Sequence, residues 1–418
     1  MEVYDIIHGN ISIDPLAKQI IDTEEFQRLR NIKQLGCCNY VFPSATHTRF
    51  EHSIGVYHLA GKYINILNRE KEYYDEDQKK CIVIAALIHD LGHGPYSHLF
   101  DELFDESKDH EYRSIEIFKN MNQKYNLGFT KNDISQIQGI ISPKKATIDK
   151  KQKFIYQIVS NRNGIDVDRF DYIMRDIKMT GLNYGIEYER IMNHSQIVDG
   201  EIVYLEKVKT NIDDFFRIRY IMYKEVYNHH TVRAIEYMMK DFIKGMDKII
   251  CINNIIENDN WDDFIRLNDS IVDSIYHYRK MINHVKERMM GPDFSNYGEC
   301  EFWKENVFSL EDDTQSIKHI DNLIHLIHKI KSREIYKSVG EIITDSDIHI
   351  ECSKKGIIID TVKLSYYGSE KCSYIQERSC INKSITIENN TKYITSIYYK
   401  TEESKQNAEE ILNKCREI

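Results

Sequence analysis

The fold is decided by the run Cys81-Ile82-Val83-Ile84-Ala85-Ala86-Leu87-Ile88, continued by His89-Asp90-Leu91-Gly92-His93-Gly94-Pro95-Tyr96-Ser97-His98. The first part is unbroken in its apolarity and reads as a buried helix, stopped by Gly92, Gly94 and Pro95. His89 and Asp90 therefore sit where a buried segment ends. Two strongly polar groups are costly there unless they are paired or hold a metal ion. The doublet alone says little, because a chain with 17 histidines carries about one His-Asp pair by chance. The plain alternative is a satisfied core histidine beside an aspartate that caps the next turn.

Working outward, Phe50, Ile54, Tyr57, Gly61 and Ile64 recur at helical spacing over residues 49–68, and Arg49 and His52, three apart, share one side of that helix. Downstream, Asp168, Tyr172 and Asp176 are each four apart and drift only about 40° per step, so they line one helix face. An acidic-aromatic-acidic stripe is not a core stripe. His52, His89, Asp90 and Asp168 form a mixed N/O set that suits Fe, Mn, Zn or Ni and leaves positions open for water or substrate. His93, His98 and His110, with Asp101 among them, are candidates for phosphate contact and proton transfer. Arg219 and Tyr227 are eight apart on a helix predicted over residues 213–246 and can face the same cavity.

The chain has 418 residues, 41% hydrophobic and 29% charged, as in ordinary globular proteins. Lys plus Arg is 56 against 66 acidic residues, a net charge of -10 that argues against a dedicated nucleic-acid coat. The basic stretch Lys144, Lys145, Lys150, Lys151 and Lys153 reads as a solvated loop. No apolar run reaches bilayer length, and the nine scattered cysteines, Cys37-Cys38 included, form no CxxC pair. A reducing, intracellular, membrane-free protein is expected. Residues 14–335 read as mainly helical. After about Gly340 the texture turns to Ile, Val and Tyr, with an Asn-Asn-Thr turn inside 385–399 and a final helix over 401–418. The expectation is a mainly α fold: a helical core over 1–335 and a small α+β lobe over 336–418.

The chain resembles the HD-domain deoxynucleoside triphosphate triphosphohydrolases, most of all the catalytic core of the sterile-alpha-motif/HD-domain type. The runs that carry the resemblance are Asp5-Ile6-Ile7-His8-Gly9, Ile21-Asp22-Thr23, Phe26-Gln27-Arg28-Leu29-Arg30, Ile32-Lys33-Gln34-Leu35-Gly36, Val41-Phe42-Pro43, Arg49-Phe50-Glu51-His52-Ser53, His89 through His98, and Asn163-Gly164-Ile165-Asp166-Val167-Asp168. It extends through residues 336–341 and 358–360; the matching runs are those of the HD core, and no sterile-alpha-motif domain is expected from them.

This resemblance implies metal-dependent cleavage of dNTPs to deoxynucleoside and inorganic triphosphate. It makes His52, His89, Asp90 and Asp168 the metal ligands of one transition metal, with Mg²⁺ accompanying the substrate triphosphate. It gives Gln34 and Asp176 the sugar 3'-hydroxyl, and Tyr172, Leu35 and Tyr227 a wall that leaves no room for a 2'-hydroxyl. Arg49 and His98 would contact the inner phosphates, Arg169 and Arg219 the outer ones, and Asn228 the base. At position 169 the family often has Lys. His93, Asp101 and His110 would move protons to the leaving sugar oxygen.

In regulated members a second nucleotide site, filled by GTP or a dNTP, switches on a tetramer, so a homo-oligomer (dimer or tetramer) is implied. Asp22, Gln27 and Arg30 match the residues that read a guanine there, and Arg190, Lys207 and Asn211 match part of a neighbouring effector pocket. Met1, Tyr4 and Leu205 depart from that pattern, and residues 344–350 lack the basic strand that reaches effector phosphates. Two other readings stay open: an HD phosphohydrolase or phosphodiesterase acting on another nucleotide, and a non-catalytic HD protein that binds single-stranded nucleic acid.

Overall fold

The computed structural model describes residues 1–143, 148–289, 313–344, 356–365, 373–376, 379–384 and 391–416. It is mainly helical, as expected. The chain opens with an antiparallel hairpin, β1 (Glu2–Asp5) and β2 (Gly9–Ser12). Asp5 Oδ1 accepts from the backbone N–H groups of Ile7 and His8 at 2.8 and 2.9 Å and so shapes the turn. Helix α1 (Pro15–Ile21) follows, capped by Asp14.

Helix α2 (Arg49–Leu67) starts at Thr48, whose N–H donates to Glu51 Oε1 at 2.7 Å. Helix α3 (Glu76–Ile88) starts at a second capping box, Asp75 with Gln78. The apolar run predicted from the sequence is its last two turns, buried against α2 and α6 (Lys131–Ile141), with α4 (His98–Asp101) and α5 (His110–Lys124) between. The loop after α3 is tight. A Cβ on Gly92 would lie 2.3 Å from the His110 carbonyl oxygen, so only glycine lets α5 approach. Helix α7 (Val167–Thr180) is capped by Asp166, which accepts from the Arg169 N–H at 2.9 Å, and it closes at Gly181 with φ 75°.

A hairpin of β3 (Ser195–Val198) and β4 (Glu201–Leu205) leads to α8 (Lys209–Met222). The single helix expected over 213–246 is in fact two. After α8 comes a π-helical turn, Tyr223–Tyr227, and a fresh start at α9 (His230–Ile250). The break has local causes: the Asn228 amide donates to the Tyr223 carbonyl at 2.8 Å, and His229 Nδ1 accepts from the Thr231 N–H at 3.2 Å. Helices α10 (Ile271–Met289) and α11 (Asp313–Lys331) complete the helical part.

The rest is β5 (Lys337–Thr344), β6 (Ile357–Ser365), β7 (Ser373–Gln376), β8 (Ser379–Ser384), β9 (Thr391–Tyr399) and α12 (Glu402–Arg416). β9 lies between β5 and β6 in an antiparallel sheet with its own small core of Ile397, Ala408 and Leu412. β7 pairs in parallel with β4, so the sheet β3-β4-β7-β8 crosses the expected division at 335/336.

Lys144, Lys145, the Asn389-Asn390 turn and residues 345–350 lie outside the described residues. Lys153 pairs with Glu201 at 2.9 Å. Cys37 and Cys38 are free thiols in the core. Among the described residues no helix is long and apolar enough to cross a membrane.

Candidate active site

Three elements converge on the four expected metal ligands: α2 brings His52, the end of α3 brings His89 and Asp90, and the first turn of α7 brings Asp168. His52 Nε2 lies 3.2 Å from Asp168 Oδ1 and 3.5 Å from Asp90 Oδ2. His89 Nε2 lies 3.4 Å from Asp90 Oδ1 and 3.6 Å from Asp168 Oδ1.

The far nitrogen of each ring is fixed elsewhere, His52 Nδ1 on Asp171 Oδ2 at 2.7 Å and His89 Nδ1 on the Ala86 carbonyl at 2.8 Å. Both Nε2 atoms are thereby aimed at the carboxylates. His89 Nε2 is buried with no hydrogen-bond partner among the described residues. Two imidazole nitrogens and two carboxylates, converged and partly unsatisfied, fit a divalent cation. The site also favours positive charge: burial opposes protonation of His52, yet Asp168, Asp171 and Asp90 push its pKa up to about 10. Asp90, although buried, is held well below the usual carboxylate range by Arg49, His89 and His93.

Beside this cluster Asp101 acts as a hub. It bonds His110 Nδ1 at 2.8 Å and the Arg113 guanidinium, with His93 Nδ1 and His98 Nδ1 at 3.7 and 3.8 Å. Burial works against its charge, but the bond to His110, with His98 and His93 close by, holds it far below the usual range. The His93 and His110 rings stack at 4.0 Å. His93 is fully buried, and burial, with Arg49 and His110 close by, keeps it neutral.

A cavity of about 460 Å³ opens over the cluster. Its lining includes Arg49, His98, Asp168, Arg169 and Arg219, and also Gln34, Leu35, Tyr172, Asp176, Tyr227 and Asn228. A narrower recess of about 120 Å³ shares Gln34, Arg49, His98, Asp168 and Tyr172 and reaches His89, Asp90 and His110. His93 lines neither; it stands behind His110.

Asp176 is braced on both oxygens, by the Tyr227 hydroxyl at 2.6 Å and His47 Nε2 at 2.7 Å. Gln34 Oε1 and one Arg49 terminal nitrogen are buried without hydrogen-bond partners among the described residues. Arg49 otherwise bonds Asp90, and its Nε donates to Ser97 Oγ at 2.8 Å. Arg169 pairs with Asp166, and Arg219 lies over the Tyr223 ring at 4.7 Å.

Several site residues were not found from the sequence. Asp171 and His47 orient His52 and Asp176 from behind. Tyr96 and Ser97 adopt φ of 62° and 60°, the left-handed region, and so seat Ser97 between Arg49 and the Lys33 carbonyl. Glu102, Arg233, Glu236 and, from β6, Val362 complete the cavity wall. Asp171 had a faint signal, one turn after Asp168. Val362 had none, because nothing local ties a strand residue to a distant cavity.

The six expected effector residues lie away from the cavity. Asp22 is exposed and pairs with Lys18. Gln27 accepts from Arg30 Nε at 2.8 Å, and the Arg30 guanidinium covers the Phe50 ring at 3.5 Å. Arg190 Nε meets Asn211 Oδ1 at 3.2 Å, and Lys207 is exposed on the turn just before α8.

Residues 49–176 match the family model described as HD domain. The "Deoxynucleoside triphosphate triphosphohydrolase SAMHD1 homolog" of Dictyostelium discoideum is 33% identical over 394 residues, covering 88% of this chain and 68% of that protein. The SAMHD1 of Homo sapiens is 31% identical over 417 residues, with 88% and 63% covered. An HD domain-containing protein of Acanthamoeba polyphaga mimivirus is 42% identical over 292 residues, with 64% and 62% covered. The chain thus spans about two thirds of the length of the curated relatives it matches. With an HD match across the metal-type cluster and this identity over most of its residues, the chain belongs to the HD-domain proteins of SAMHD1 type.

Proposed function

We propose that this protein is a divalent-metal-dependent dNTP triphosphohydrolase that releases deoxynucleoside and inorganic triphosphate. The observation that carries the reading is that a cavity and the recess beneath it join the His/Asp cluster to four guanidiniums, those of Arg49, Arg169, Arg219 and Arg233, and to a tyrosine-lined wall. An HD domain implies a divalent metal. His52, His89, Asp90 and Asp168 would hold it, as Fe, Mn, Zn or Ni. When bound, such an ion supplies Lewis-acid activation of water and of a phosphoryl oxygen.

The chain's own residues supply the rest. Arg49, Arg169, Arg219 and His98 neutralise a triphosphate that carries about four negative charges, together with Mg²⁺. Arg49 offers a buried terminal nitrogen with no other partner among the described residues. Gln34 Oε1, likewise unmet, and Asp176 receive the 3'-hydroxyl. Asp176 is held in place by Tyr227, and Tyr227, Tyr172 and Leu35 crowd the position of a 2'-hydroxyl. Attack at the α-phosphorus expels the 5'-oxygen. His110, fixed through Nδ1 by Asp101 and facing the recess, presents its other nitrogen as the acid for that oxygen, with His93 stacked behind it. Asn228 touches the base.

Nucleotide activation through Asp22, Gln27, Arg30, Arg190, Lys207 and Asn211 in a homo-oligomer, an intracellular location, and the division into 1–335 and 336–418 belong to the same proposal. The test is product chromatography of a panel of dNTPs and ribonucleotides, with metal analysis and with and without GTP. Deoxynucleoside plus triphosphate from dNTPs, poor turnover of ribonucleotides, and loss of turnover in His89→Ala plus Asp90→Ala with the fold intact are expected. A double variant that hydrolyses dNTPs at the parent rate removes the site assignment. Ribonucleotide turnover in place of dNTPs removes the substrate.

A further inference from the structure

We infer that His8, in the N-terminal hairpin, and Asp171, on α7, are a positioning pair for the metal-binding histidine His52. This rests on the reading of His52, His89, Asp90 and Asp168 as a metal seat and adds a part to it.

The link is continuous and dry. His8 Nε2 lies 2.7 Å from Asp171 Oδ1, and Asp171 Oδ2 lies 2.7 Å from His52 Nδ1; the three side chains are 1%, 0% and 1% exposed. Arg175, one turn along α7, donates to both Asp171 oxygens at 2.9 Å. Asp171 therefore accepts from four N–H groups, one each from His8 and His52 and two from Arg175. With His52 Nδ1 tied to this carboxylate, Nε2 is the ring nitrogen left to face Asp90 and Asp168. The packing is cut to fit this contact. Gly55 sits nearly one turn beyond His52 on α2, and a Cβ there would fall 1.9 Å from Asp171 Oδ1.

The hairpin is built to deliver His8. Asp5 folds the turn with one oxygen and accepts from the Arg175 guanidinium at 2.7 Å with the other. A hairpin that only needed anchoring would be held by Asp5 and Arg175. The second link instead runs to the far nitrogen of a ring in the metal-type cluster. Neither His8 nor Asp171 lines the cavity, so neither touches substrate. They act through His52.

The test uses the full chain stripped of metal and titrated with Mn²⁺ alone, free ion being read by electron paramagnetic resonance and the metal-free melting temperature recorded beside it. Loss of an outer partner of a metal-binding histidine weakens metal affinity by about 10–100-fold. His8→Ala is expected to bind Mn²⁺ at least about tenfold more weakly, and His8→Gln, whose amide can still donate to Asp171, to stay close to the parent. Parent affinity in His8→Ala overturns the inference, whether or not its melting temperature falls. Should His8→Ala not fold, His8→Asn, too short to reach Asp171, is compared with His8→Gln; equal affinities overturn it. The underlying reading has its own control: a parent that takes up no more Mn²⁺ than His89→Ala plus Asp90→Ala has no metal seat.

Discussion

Glu236 sits on α9 at the cavity wall, its carboxylate 2.7 Å from an Arg233 terminal nitrogen. Burial raises its pKa, Arg233 pulls it down and Glu102 pushes it up again, and the result is about 7 against an ordinary 4.5. The folded state thus holds this proton more tightly than the unfolded chain. Its stabilising contribution is complete below about pH 4.5 and is lost as pH rises through about 7. Glu236→Gln should remove roughly 2–3 kcal/mol of the fall in stability between pH 5 and pH 8. Urea unfolding across that range measures it, and an unchanged slope refutes it. At this scale the sequence is readable where polar groups interrupt an apolar pattern. His89 and Asp90 end a buried run, and Asp168, Tyr172 and Asp176 stripe one helix face. Asp171 and His47 were not readable in the same way, because their role is to brace residues far away in the chain, and His8 entered only through a matched run.

Among elements, the π-helical turn Tyr223–Tyr227 matters most. Its wider winding puts Tyr223, Tyr227 and Asn228 in the cavity wall together with Arg219 from the preceding helix. A regular α-helix over the same residues would rotate each later side chain by about 100° per residue removed. Deletion of exposed Lys224, which returns the turn to α winding, is expected to keep helical circular dichroism while lowering kcat/KM by at least about tenfold through misplaced Tyr227. Unchanged kcat/KM would show that the turn does not set the cavity. Hydrophobic periodicity gave α2 to within a residue at each end, while the apolar run that announced α3 began at Cys81, five residues inside a helix that starts at Glu76. The periodicity ran straight through 223–229, since a π turn keeps the apolar rhythm and differs only in winding.

At the level of the whole molecule, the β-rich segment is tied to the helical part by Arg233, whose guanidinium grips both Asp360 oxygens at 2.9 and 3.1 Å from α9 to β6. Both side chains are largely buried. Asp360→Ala leaves a buried guanidinium short of a partner and should cost about 3 kcal/mol. Because Arg233 and Val362 both line the cavity, KM for dNTPs should rise in the same variant. Thermal unfolding and steady-state kinetics check the two effects, and a stability loss with unchanged KM would separate the β segment from catalysis. The change in composition after Gly340 announced a second texture in the sequence, but not that its strands would reach back to β4 and the cavity.

That return has a practical outcome. A protein cut at residue 335 would strip β7 from β4 and bare the peptide groups of Tyr204 and Leu205, at the end of a strand whose Ile202, Val203 and Tyr204 side chains are buried. Such a truncation offers a template to any passing strand, so it should precipitate or self-associate rather than behave as a minimal enzyme.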